Sequence, residues 1–128
     1  MLLLISPAKT LDFNPSTLSI HSQPDLLDYS EKLNKKLRTL NSPKLQQLMG
    51  ISEKIAASNV AWNQSFERPF NTQNAKQALL AFKGDVYQGM MPEDFSEADF
   101  EYAQQHLGIL SGLYGFLRPL DLMQPYRL

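Results

Sequence analysis

The chain has 128 residues, 43% hydrophobic and 20% charged, with a formal net charge of −1. That length supports one domain with a real core. The charge excludes a global field for polyanions, so any nucleic-acid contact must come from a local patch. The absence of cysteine excludes disulfides, thiolate nucleophiles and Cys-type zinc sites, and it suits a reducing cytosol.

Met1–Ile5 reads "MLLLI". The run is too short for a signal peptide and lacks a basic start. It predicts a strand covered on both faces. "SPAKT" (Ser6–Thr10) leaves it as a loop, because Pro7 cannot continue a ladder. Residues 11–23, rich in Ser, Thr and Asn around Pro15, predict an irregular exposed connection. Leu26, Tyr29 or Ser30, Leu33, Leu37 and Leu40 recur at helical spacing and predict a helix near 24–39. Ser42 with Pro43 then predicts a short helix ended by Gly50. Ser52 starts a third near 53–65, with Ile55, Asn59, Trp62 and Phe66 on one face.

Asn71 or Thr72 caps a turn. The spacing then predicts a helix through Gln77 and a strand over Ala78–Phe82, closed by a turn at Gly84 and Asp85. "DVYQGM" is open between a short strand and a loop. Ser96 with Asp99 forms a capping-box pattern, and Phe95 with Phe100 a hydrophobic staple. The buried stripe Phe100, Ala103, Leu107 and Leu110 predicts a helix near 97–110 that stops at Gly112.

Charge is uneven. Residues 30–54 hold six Lys/Arg against two acids, and residues 85–101 hold six acids and no base. Solvated helix faces explain this, and a local polyanion surface is the other reading.

Three stretches carry candidate chemistry. In "LSGLYG", Leu110–Gly115, a glycine hairpin after a helix would point successive N–H groups at a phosphate, with a second helix adding its dipole. Its G-x-x-G spacing is one residue wider than the usual helix-hairpin-helix turn, and a helix cap at Gly112 with an unrelated turn at Gly115 is the plainer reading. "SPAKT" is a polar loop after a strand, where Lys9 would hold an anion with Ser6 or Thr10, or it is a surface turn. "FKGDVYQG" sets Lys83 and Asp85 beside Gly84, as a reactive pair or a turn signature. His21 and His106 are isolated, so no metal site is expected.

Three blocks, "LLLISPAKTLDF", "LLAFKGDVYQGM" and "QQHLGILSGLYGFLRPLDLMQPYRL", occur in one order and closely resemble the peroxide stress protein YaaA family. The resemblance implies a bacterial, cytoplasmic protein of the hydrogen peroxide response. It implies a part in keeping unincorporated iron low, and DNA as partner; the absent cysteine and the isolated histidines, for their part, lead to the expectation of no cofactor. It also implies an α/β fold with a basic cleft and a helix-hairpin-helix element, here on Leu110, Ser111, Gly112, Leu113, Tyr114 and Gly115, with Arg118 following. Ser6, Lys9, Thr10, Lys83 and Asp85 match family blocks with no role attached. Family proteins continue past "MQPYRL", so residues 1–128 read as a single-domain N-terminal half. The expected fold is mixed α and β, a small sheet with flanking helices, Met1–Ile5 and Ala78–Phe82 sharing one sheet. Two alternatives to DNA binding stay open. One is an enzyme acting on a small anionic or nucleotide substrate, with Lys9, Lys83, Asp85 and Arg118 around one pocket. The other is a structural or iron-handling partner.

Overall fold

A computed structural model describes residues 2–127 of the chain. Mixed α and β content is what it shows, with six α-helices and three small sheets among those residues. In the first sheet β1 (Leu3–Ile5) lies parallel to the central β5 (Leu107–Ser111), which pairs antiparallel with β6 (Gly115–Leu117). The second joins β2 (Thr10–Leu11) to β4 (Phe82–Lys83), and the third joins β3 (Lys76–Gln77) to β7 (Leu122–Met123), both antiparallel.

The helices follow local signals. Helices α1 (Leu27–Leu37), α2 (Ser42–Met49) and α3 (Glu53–Ser65) form the N-terminal helical part. Ser52 caps α3 by accepting the Ile55 N–H. Gly50 ends α2 in the left-handed region, φ 63°. The cap of α2 is Asn41 rather than Ser42, its side chain accepting the Lys44 N–H at 3.1 Å. On α1 the stripe is rotated from the expected one: Leu27, Ser30, Asn34 and Leu37 are buried, while Leu33 and Tyr29 are exposed. A buried Asn34 amide donating to the Asn63 carbonyl at 3.0 Å fixes that rotation against α3. On α3 the buried face is Ala56, Asn59 and Asn63.

The strand expected over Ala78–Phe82 is instead one helical turn, α4 (Ala78–Ala81), followed by β4, which pairs with β2, so this segment does not share a sheet with β1 as expected. Every residue of it is buried, so apolarity could not distinguish turn from strand. The Ala78 and Leu79 N–H groups bond to the Asp121 and Pro119 carbonyls, which start the turn. Lys76–Gln77, expected as helix, is β3, and "DVYQGM" is helix α5 (Asp85–Met90). Asn71 does cap a turn, accepting from the Gln73 and Asn74 N–H groups.

Helix α6 (Glu97–His106) starts with the expected capping box of Ser96 and Asp99. The Phe95–Phe100 staple forms, with ring centroids 5.3 Å apart. The helix ends four residues early, at His106 against the expected 110, because Leu107–Ser111 becomes the central strand between β1 and β6. Strand β1 differs too. It is an edge strand that pairs with β5, and Leu2, Leu3 and Leu4 are 53%, 60% and 54% exposed. Met1 of the expected strand lies outside the described residues.

The core is threaded by aromatic rings. Phe66, Phe70, Tyr114, Tyr126, Phe82 and Tyr87 touch in sequence, with centroids 5.4–6.5 Å apart. The irregular connection ahead of α1 is pinned onto this core. The buried Gln77 amide donates to the Leu18 and Ile20 carbonyls at 3.1 and 2.9 Å.

Candidate functional site

The short β2–β4 ladder places the site. Its register, Thr10 opposite Lys83 and Leu11 opposite Phe82, draws the Ser6–Thr10 loop onto the turn that starts α5. Approach is close: a Cβ on Gly84 would lie 3.2 Å from the Ala8 Cβ. The Tyr87 hydroxyl then donates to the Ser6 carbonyl at 2.6 Å, locking loop to helix. Between them opens a cleft of about 490 Å³ lined by Ser6, Lys9, Thr10, Lys83, Asp85 and Tyr87, with Ile5, Pro7, Ala8, Gly84 and Val86. All four residues read from the sequence as anion-binding, and Asp85, therefore meet in one place.

Lys9 is exposed. Lys83 is more enclosed and pairs through Nζ with the Glu93 carboxylate. That hydrogen bond is the main cause holding the Glu93 carboxyl below the ordinary carboxylate range. Tyr87 was not among the sequence candidates, although "KGDVY" carries it two residues after Asp85. Burial raises its phenol, so it stays neutral and acts as a hydrogen-bond donor.

The glycine hairpin is built differently from the sequence expectation. Strands, not helices, flank it, so no helix-hairpin-helix forms at Leu110–Gly115. The left-handed glycine is Gly115 (φ 73°), which closes a three-residue turn, Gly112–Tyr114, onto β6. Leu113 and Tyr114 are buried. The Ser111 hydroxyl donates to the Tyr126 oxygen at 2.6 Å and accepts the Tyr114 N–H at 3.1 Å. Leu110, Gly112 and Gly115 face solvent.

Arg118 does not join Lys9 and Lys83. Its guanidinium lies 3.0 Å from the buried Asp121 carboxylate and 3.3 Å from Asp25, and donates to the Gln23 carbonyl at 2.8 Å. The Asp121 hydrogen bond chiefly raises its basicity. Neither Arg118 nor the hairpin lines the cleft.

Elsewhere, His106 stacks on Tyr102 at 4.2 Å and His21 contacts the Ser19 carbonyl. Among the described residues no group of three His, Asp or Glu is placed to hold a metal. No helix among them is long and apolar enough to cross a membrane.

The loop and turn that make the cleft, and the hairpin that makes the central sheet, lie on the three blocks whose likeness was noted in the sequence. A family model described as peroxide stress protein YaaA matches residues 1–128. The chain thus belongs to the peroxide stress protein YaaA family, whose role is in the response to oxidative stress.

Proposed function

We propose that the chain serves the peroxide response by holding phosphate groups in the cleft between Ser6–Thr10 and Lys83–Tyr87, with DNA as the phosphate-bearing partner. The observation that carries the reading is the convergence there of two motifs more than seventy residues apart in sequence. Lys9 supplies an exposed ammonium, Ser6 and Thr10 supply hydroxyls, and Lys83 supplies a second cation once it leaves Glu93. Backbone contact of this kind is insensitive to base sequence and weakens with salt. Limiting iron-dependent damage belongs to the same proposal: a protein seated on DNA phosphates acts where that oxidation does harm.

A second reading rests on the cleft's size. About 490 Å³ is in the range of small-ligand pockets, and Asp85 beside Lys9 and Lys83 gives an enzyme on a small anionic or nucleotide substrate its acid–base group. Arg118 has no part in it.

A salt titration of duplex binding by fluorescence anisotropy separates these. Under the leading reading Lys9→Ala weakens binding at every sequence and lowers the salt slope by about 0.9. Under the second, a nucleotide binds and a duplex does not. If Lys9→Ala binds duplex as wild type does at every salt concentration, the cleft is not the contact.

A further inference from the structure

A second cavity, also of about 490 Å³, opens on the other side of Lys83, between the Asn14–Ser19 loop and the turn holding Glu93. Five charged side chains line it, Asp12, Lys76, Lys83, Glu93 and the exposed Glu97, with Lys76 beside Asp12 and Lys83 beside Glu93. The two ammonium groups are the inner members. Their side chains are 11% and 22% exposed, against 32% for Asp12 and 57% for Glu93.

The inner cations are incompletely matched. Lys76 Nζ donates to the Asp12 backbone carbonyl at 3.0 Å. The Asp12 carboxylate stands 3.9 Å away, beyond hydrogen-bond reach. Its other oxygen accepts the Asn14 N–H at 2.9 Å, which commits that carboxylate to its own turn. An ammonium has three donors, so Lys76 retains capacity toward the cavity. Burial chiefly lowers its basicity; Asp12 opposes this and the Lys83 charge adds to it. Lys83 is held by Glu93, an exposed side chain on a short turn that can swing away at little cost.

We propose that this cavity is a binding site for a small dianion, whose anionic oxygens bridge the Lys76 and Lys83 ammonium groups while the Glu93 carboxylate is displaced to solvent. The chemistry is shared by a phosphate monoester and a dicarboxylate. A dianion relieves the mutual repulsion of two enclosed cations, which a monoanion does only in part. The site goes beyond the phosphate-contact cleft, because Lys76 and Glu93 line this cavity and not that one.

Isothermal titration calorimetry of the whole chain with inorganic phosphate, succinate and acetate tests it. Phosphate or succinate binds at least tenfold more tightly than acetate, and the better of the two identifies the source. Lys76→Gln loses at least tenfold in dianion affinity while Lys9-dependent duplex binding is unchanged. Glu93→Gln, which removes the competing carboxylate, gains severalfold. A merely structural Lys83–Glu93 pair would not produce that gain. Equal binding of acetate and the dianions, wild-type affinity in folded Lys76→Gln, or no gain in Glu93→Gln overturns the proposal.

Discussion

Arg118 shows how one residue changes meaning between sequence and structure. After a glycine hairpin it resembles a phosphate contact, yet its guanidinium neutralises Asp121, whose side chain is fully buried. Arg118→Ala should therefore lower stability by roughly 3 kcal/mol, because the buried carboxylate loses its countercharge and keeps only the Ser22 hydroxyl and the residue-118 N–H as donors, while the salt slope of duplex binding in the folded variant stays at the wild-type value. Urea unfolding read beside the binding titration checks both halves. Gly115 carries the turn's left-handed backbone, and a Cβ there would also sit 2.8 Å from the Leu26 Cδ1. Gly115→Ala should cost about 1–2 kcal/mol, and Gly112→Ala should cost clearly less. Equal losses would show that the strain sits elsewhere. Asn59 is fully buried on α3, and its amide has no partner among the described residues. Asn59→Leu should raise unfolding stability by about 1 kcal/mol, since an unmatched polar group is replaced by an apolar one of similar volume. A loss in urea unfolding would mean that the amide is satisfied in solution.

The elements divide by where their signals lie. Capping patterns are local, so Ser52, Ser96 with Asp99, and Gly50 were legible in sequence and mark real helix ends. The switch from α6 to β5 was not legible. Leu107 and Leu110 continue a helical stripe, and only the pairing of Leu107–Ser111 with β1 on one side and β6 on the other makes the segment extended. The Ala78–Phe82 run failed for a related reason: a short segment buried throughout has no periodicity to read. The small β2–β4 ladder and the turn after it hold the candidate site, and its charge pair gives a pH signature. Lys83 lowers the Glu93 carboxyl in the folded state. The stabilisation is thus present above the ordinary carboxylate range and is lost as pH falls through the lowered folded value. In thermal melts between about pH 7 and pH 3, wild type should lose more than Glu93→Gln does, and the two curves should converge at the acid end. Parallel curves would show that the pair is too solvated to matter.

At the scale of the whole molecule, each block was visible in the sequence but their meeting was not. Ser6–Thr10 and Lys83–Tyr87 are individually ordinary turns, and a sequence offers no distance between them. The register of a two-residue ladder and one tyrosine hydroxyl supply it. The hairpin builds the central sheet and the aromatic core around Tyr114 and Tyr126. The central claim is that phosphate contact belongs to the cleft and not to the hairpin. At 14.6 kDa the chain suits a ¹H–¹⁵N NMR titration with a short DNA duplex at low salt. The account predicts shift changes concentrated on Ser6, Lys9, Thr10 and Lys83–Tyr87, reversed by added salt. Changes confined to Gly112–Gly115, with the cleft amides unmoved, would contradict it.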